Sequence, residues 1–387
     1  MKKEKQNKGK AFVGLSPVGK RKLPTGRAGG LRKKVFVGLS GGVDSSVSAT
    51  LLKEAGYDVT GVFIKVWQPD FISCNSKDDR LDAMRVAAHL GIPFRTLNLE
   101  KEYKRGVVDY MLSEYKKGNT PNPDVMCNKE VKFGAFLRYA MKEGADFVAT
   151  GHYTQNIFNK KTNKYELHKG ADDNKDQSYF LWTLTQKELS RIIFPVGAYK
   201  KEEVRKLAEK FGLITATKKD SQGLCFLGKI DMKEFLKHYI KEKEGIVVDS
   251  DGNILGTHEG VIFYTLGERH GFTLTKKTSN DKPYYVIGKN IKENKLIVSR
   301  IPQNNVATKK KWGIRDINWI SPKFDLELPK KANLKAQIRY HGEFLPCKVF
   351  VKGKETFVIF KKPILVSFGQ SIVFYRGNVC LGGGIIS

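Results

Sequence analysis

Residues 35–46, VFVGLSGGVDSS, constrain this chain more than any other stretch. The apolar run 35–39 suits a strand buried on both faces of a parallel sheet. Ser40-Gly41-Gly42 supplies a turn with two residues free to take positive φ. From Asp44 the pattern is helical, with Val47, Leu51 and Leu52 on one face and Gly56 as the stop. Strand, glycine turn and helix start together form an anion site. Backbone N–H groups and the helix dipole converge there, and no Cβ blocks approach. Ser40, Ser45 and Ser46 add hydroxyls, and Asp44 is placed to hold Mg²⁺ opposite a phosphate.

The loop has neither the lysine of GxxxxGK[ST] nor the spacing of GxGxxG. It resembles the PP-loop of ATP pyrophosphatases, which release pyrophosphate and leave AMP on the substrate. Strands are then expected at 58–67, 94–99 and 145–151, and helices at 77–90, 101–117 and 129–143. This alternation predicts a doubly wound, parallel-sheet α/β domain. Its ligands belong at the strand C-terminal ends, where Ser40–Ser46, Lys65–Trp67 and Gly151-His152 fall. Residues 175–213 read as helical. Past 245 short β-rich segments take over, and the last 80 or so residues alternate as a small barrel would.

A chain of 387 residues implies two or three domains. We divide it into a basic arm (1–33), a PP-loop catalytic domain (34–228), a central α+β domain (229–303) and a C-terminal β-barrel (304–387). The formal net charge of +29 favours a polyanionic partner, nucleic acid first. Residues 1–34 carry twelve Lys/Arg against one acid and read as a mostly disordered arm without a signal peptide's apolar core. No apolar run approaches the ~18 residues of a membrane span. Five cysteines, scattered and never CxxC, argue against a disulfide framework or structural zinc and fit a reducing cytoplasm.

Two loops carry chemistry. In GNTPNPDVMCNKEVKF (118–133), Pro121 and Pro123 stiffen the backbone, and Cys127 is expected near the start of the next helix. The helix dipole and Lys129 or Lys132 would there lower the thiol pKa. Asp124 is a candidate proton acceptor. In KKDSQGLCFLG (218–228), Cys225 follows a glycine turn beside Asp220, Lys218 and Lys219, in a loop suited to sulfur exchange. Cys74, in a polar loop, competes on exposure alone, while Cys347 and Cys380 lie in strand-like stretches and read as core.

With these loops in view, the chain resembles the tRNA-specific 2-thiouridylases. The matching stretches are GLSGGVDSS, GVFIKVW, TPNPDVMCNKEVKF, ATGHY, KDQSYFL, DSQGLCFLG, IRYHG and CLGGGI. They run in the family's order from about residue 34 to the end. Gln222 stands where the family usually has threonine, and the arm before Arg32 is extra. The resemblance implies that Gly38, Leu39, Ser40, Gly41, Gly42, Val43, Asp44 and Ser45 bind ATP phosphates with Mg²⁺, that Ile64 lines the adenine pocket and that Gly151 closes on the nucleotide. It places Asn122, Pro123 and Asp124 on the target base. His152, Lys175, Asp176, Gln177, Arg339, Tyr340 and Gln370 would contact tRNA. Cys225 would carry a persulfide from a sulfur-relay protein or cysteine desulfurase, with Cys127 as its partner and a Cys127–Cys225 disulfide left behind.

Three alternatives remain at this level. A nitrogen-delivering PP-loop enzyme such as a lysidine synthetase needs no cysteine pair. A non-catalytic RNA-binding protein gives no reason for SGGVDSS after a strand. A cluster-dependent thiolase would use Asp124, Cys127 and Cys225 as ligands.

Overall fold

The computed structural model describes residues 23, 26–28, 31–71, 76–220, 231–275, 282–301, 308–321, 334–353 and 355–387. The roles expected of Cys225 and Cys74, and of most of the arm, therefore lie outside the described residues. The end of the arm is not coil: Arg27–Ala28 pairs antiparallel with Leu31–Arg32, and Gly26 donates its N–H to the Ala55 carbonyl.

The chain then builds a five-stranded, all-parallel sheet. Its strands are β1 (Lys34–Gly38), β2 (Asp58–Lys65), β3 (Phe94–Asn98), β4 (Phe147–Ala149) and a short strand at Ile192–Ile193. They lie in the order β3-β2-β1-β4 and then 192–193. Both faces are covered, as a parallel sheet requires. Val35 and Val37 pack with helices α1 (Val43–Glu54), α2 (Ser76–Leu90) and Lys201–Lys210. Phe36 points the other way, into Tyr103, Met111, Phe136 and Val148, where the helical stretches 100–116 and 123–142 lie. The strand order reverses between β1 and β4, which is where such sheets hold ligands. α1 differs from the single apolar face expected, since it is buried nearly all round, Ser46 and Ser48 included. Its hydroxyls tolerate this because Ser46, Ser48 and Thr50 bond back to the carbonyls of Gly42, Asp44 and Ser46.

Residues 175–213 are not the helical block expected. They form a 3₁₀ turn (Ser178–Leu181), one short helix (Gln186–Leu189), the Ile192–Ile193 strand and only then Lys201–Lys210. The Ile-Ile pair finds a better partner in β4, pairing Val148 with Ile192, than in a helix followed by Pro195. A hairpin absent from the sequence reading, Thr154–Asn159 with Lys164–Lys169, leaves β4 and joins the C-terminal sheet, where Leu167 pairs with Cys380.

The middle domain opens with a helix at Met232–Lys237 and forms a five-stranded mixed sheet from strands between 245 and 299. Six antiparallel strands then close a barrel, because Lys309–Trp319 pairs with both Glu355–Ile364 and Val379–Ile386. Trp312, Ile314, Val358, Phe360, Ile372 and Phe374 fill it. Cys347 and Cys380 are buried in its strands as expected, and burial pushes the Cys347 thiol up to about 12, which leaves it unreactive.

Candidate active site

The candidate phosphate loop has the strand, glycine turn and helix start that its sequence implies. Gly41 adopts φ +73°, and a Cβ there would lie 2.3 Å from the Asp79 carbonyl oxygen. Gly42 caps α1 without a side chain. Ser45 Oγ lies 3.2 Å from Ser40 Oγ and accepts from Ser40 N at 3.2 Å, so the two serines shape the turn together. Gly151, at the end of β4, packs flat on the start of α1; a Cβ there would meet Ser45 N at 2.9 Å. Ile64 is half-buried at the C-terminal end of β2. Gly41→Ala combines a left-handed backbone with a clash, and should weaken ATP affinity about tenfold or more, at 1.4 kcal/mol per decade. Calorimetric titration with ATP checks this, and tRNA affinity should stay within twofold or so.

Asp44 is the hub of a charge network. Its carboxylate accepts from Tyr153 Oη at 2.7 Å and from Lys201 Nζ at 2.7 and 2.9 Å. Lys201 also pairs with Asp220 at 2.8 Å, and Asp220 in turn binds Lys175 (2.8 Å) and Arg205 (2.7 Å). Burial works against the Asp220 anion, but hydrogen bonds from Lys175 and Lys201 overcome it and pull the carboxyl down to about 2. Lys218 reaches Asp79 and Asp82 on α2, each at 2.8 Å. Residues 218–220 are thus pinned beside the nucleotide loop, five residues ahead of Cys225 in sequence.

The Cys127 loop departs from expectation in one respect. The helix begins at Pro123, with Asn122 as N-cap accepting from Val125 N at 3.2 Å, and not at Lys129. Proline at the first helical position sacrifices an N–H that has no intrahelical partner anyway. Cys127 therefore sits in the second turn, where the dipole acts weakly, and Asp124 occupies the first. The two are three residues apart on a shared face. Cys127 is buried and opens a π-helical stretch, Cys127–Ala135. Burial raises the Asp124 pKa, against the pull of Lys132.

His152 connects this helix to the nucleotide loop. Its Nδ1 lies 2.7 Å from Thr150 Oγ1 and its Nε2 lies 3.1 Å from Asn128 Oδ1. Burial lowers its pKa well below the ordinary range, so it is neutral; with Asn128 accepting, Nε2 carries the proton. His152, expected on tRNA, is buried and spans Asn128, the neighbour of Cys127, and Thr150, which precedes the Gly151 packed on the start of α1. Asp176 is likewise buried, accepting from Gly170 N, Ser178 N and Ser178 Oγ. Gln177 Oε1 accepts from Tyr153 N at 3.0 Å, and Lys175 holds Asp220. Gln370 donates to the Thr120 carbonyl at 2.8 Å and so braces the Cys127 loop from the barrel. Arg339 is exposed. Tyr340 is half-buried on Phe180, ring centroids 4.5 Å apart, and its hydroxyl is pushed up to about 12 by burial and then by Asp176, Asp172 and Asp124. Sequence reasoning missed Asn128, Tyr153 and Lys201. Lys201 lies 157 residues from Asp44, and nothing local marks it.

Comparisons agree with this architecture. Residues 33–229 match the tRNA methyl transferase HUP domain, 233–300 the tRNA methyl transferase PRC-barrel domain, and 309–386 the aminomethyltransferase beta-barrel domain. The tRNA-specific 2-thiouridylase MnmA of Geobacillus thermodenitrificans is 45% identical over 356 residues, 91% of this chain and 94% of its own. That of Chromobacterium violaceum is 44% identical over 379 residues, 97% and 96% of the two chains. The chain belongs to the tRNA-specific 2-thiouridylase family. It is accordingly a tRNA-modifying sulfurtransferase by family, and the lysidine-synthetase-like and non-catalytic alternatives lapse. The domain descriptions speak of methyl transfer, but the relatives that match along almost their whole length are named for thiolation. Among solved structures, NMN synthetase from Francisella tularensis aligns over 52% of this chain and 71% of its own, at TM-score 0.32 and 20% identity, too low to add to the assignment. No helix among the described residues is long and apolar enough to cross a membrane.

Proposed function

We propose that this protein installs sulfur on carbon 2 of the wobble uridine of tRNA in an ATP-dependent reaction. A uridine carbonyl is a poor electrophile, so its oxygen is first adenylated and AMP becomes a leaving group. Gly38–Ser45 would cradle the phosphates at the N-terminus of α1, and the departing pyrophosphate is stabilised there. Magnesium would come on the phosphates, with Asp44 in the first turn of α1 as the candidate side chain to hold it. It would neutralise charge on the pyrophosphate. Because Asp44 is bonded to Lys201 and Tyr153, that fit requires these donors to share or yield it.

Sulfur arrives as a persulfide on Cys225, from a relay protein or a cysteine desulfurase. The terminal sulfur attacks carbon 2 and expels AMP, giving a uridine–S–S–Cys225 link. The Cys127 thiolate then attacks the Cys225 sulfur. This leaves the sulfur on the base and a Cys127–Cys225 disulfide, which a two-electron thiol reductant must restore. Release of free sulfide by Cys127 is the other route to the same product. Asp124 would move the proton. A wobble base held out of its stack suits an anticodon loop, and the net charge of +29 suits its phosphates.

One observation carries this reading. The Cys127 helix, through Asn128, His152 and the adjoining Gly151 packed on Ser45, and the anchor at Asp220, through Lys201 and Asp44, converge on the start of α1. The test is nucleoside mass analysis of tRNA incubated with the protein, Mg-ATP and a persulfide donor. The expected result is 2-thiouridine with matching AMP and pyrophosphate. Pyrophosphate released without sulfur on the RNA would sink the thiolation step and leave only adenylation.

A further inference from the structure

The five residues that lead into the Asp124 helix are gripped by both other domains. From the barrel, the Phe368 carbonyl accepts from Thr120 N at 2.8 Å, and Gly369 packs so closely that a Cβ would lie 2.9 Å from Asn119 Cβ. From the middle domain, Thr265 Oγ1 meets Thr120 Oγ1 at 3.2 Å. Ile291 is packed so close to Gly118 that a Cβ there would lie 2.6 Å from its Cδ1.

The least ordinary of these contacts belongs to Lys289, on the middle-domain strand Tyr285–Asn290. Its Nζ donates to the carbonyls of Gly118 at 2.6 Å and Tyr264 at 2.8 Å. Gly118, at φ +79°, lies two residues past the helix Tyr110–Lys116 and donates to the Tyr115 carbonyl. Lys289 therefore brings a cation from another domain to the Gly118 carbonyl just past the negative end of that helix, where the dipole favours it. Burial lowers its pKa to about 8, and Glu268 is the charged group that opposes this. An ammonium withdrawn from water for two backbone carbonyls is costly and persists only where the surrounding structure fixes it.

We propose that Lys289 is a positioning residue for the thiolation reaction, fixing the backbone at Gly118 and so the placement of Asp124 and Cys127. The inference rests on the roles proposed above for those two residues. The link between them is short and stiff. Pro121 and Pro123 limit the backbone freedom by which residues 119–123 could absorb a displacement, so movement at Gly118 passes on to the helix start.

The test uses the full-length chain with Lys289→Met, which keeps the length of the side chain but donates no hydrogen bond. Val298→Ala, in the middle-domain core, serves as a control of comparable destabilisation. Amide exchange over 118–126 should speed about tenfold in Lys289→Met, with strand 245–248 unchanged, while the control loosens 245–248 first. The single-turnover rate of sulfur transfer should fall about tenfold, with KM for ATP within about twofold of wild type. Thr265→Val removes a neighbouring contact of the same clamp and should act in the same direction, so a poorly folding Lys289→Met still leaves a decision. Wild-type exchange over 118–126, or raised exchange with wild-type turnover, overturns the assignment. A wild type that puts no sulfur on tRNA defeats the functional reading instead, and the exchange measurement then decides the clamp alone.

Discussion

Cys127→Ala and Cys225→Ala should each leave tRNA without 2-thiouridine, a loss on the order of 10⁴-fold or more, as for removal of any covalent nucleophile. The two differ in what rescues them. Cys225 is proposed to carry sulfur, so excess free sulfide should restore part of the activity of Cys225→Ala. Cys127 is proposed to break the sulfur–sulfur bond, and its alanine variant should instead trap the RNA on the protein as a reducible adduct. Denaturing gels run with and without reductant, beside nucleoside mass analysis, separate these outcomes. Cys127 is buried, so its replacement also costs packing; Cys127→Ser keeps the shape and should be equally inactive. Robust thiolation by Cys127→Ser would remove it from the mechanism.

Asp124→Asn should lower turnover by about 10²–10⁴-fold, the range for a general acid or base, and yet make the protein more stable at neutral pH. The sign follows from its raised pKa. The ordinary value is 3.8, and burial lifts it in the folded protein, against Lys132. The folded state thus binds this proton more tightly than the unfolded chain does. Its favourable contribution is present below 3.8 and is lost as pH rises through the raised folded value. Above the unfolded value the desolvated carboxyl therefore weighs against the folded state, a burden that asparagine does not share. Thermal unfolding from pH 4 to 8 should show the variant's Tm overtaking wild type as pH rises, by about 2 °C for each kcal/mol recovered. A Tm that falls at every pH would mean that Asp124 is a structural anion.

The legibility of the chain follows the range of the forces involved. The nucleotide loop was readable because its determinants are local. A strand buried on both faces, a glycine that must take φ +73° and a helix start lie within a dozen residues. The sequence puts the helix around Cys127 too late because Pro123 reads as a breaker, whereas in the fold it serves as the first helical residue. Residues 175–213 read as helical because helical periodicity does not register the free edge of β4 that Ile192 and Ile193 pair with.

The order of residues alone carries the parallel-sheet domain, the glycine turn at its switch point, the β-rich C-terminal third and the resemblance to the family to which the chain belongs. The partners of the charged and polar residues come from the packed fold. Asp44 meets Lys201 across 157 residues, His152 turns inward to Asn128, and Gln370 and Lys289 hold the Cys127 loop from two other domains. Backbone preferences and apolar periodicity act over a few neighbours and can be read in order along the chain. The partner of a buried polar group is whatever the packed fold brings within 3 Å or so, and sequence distance carries no information about it.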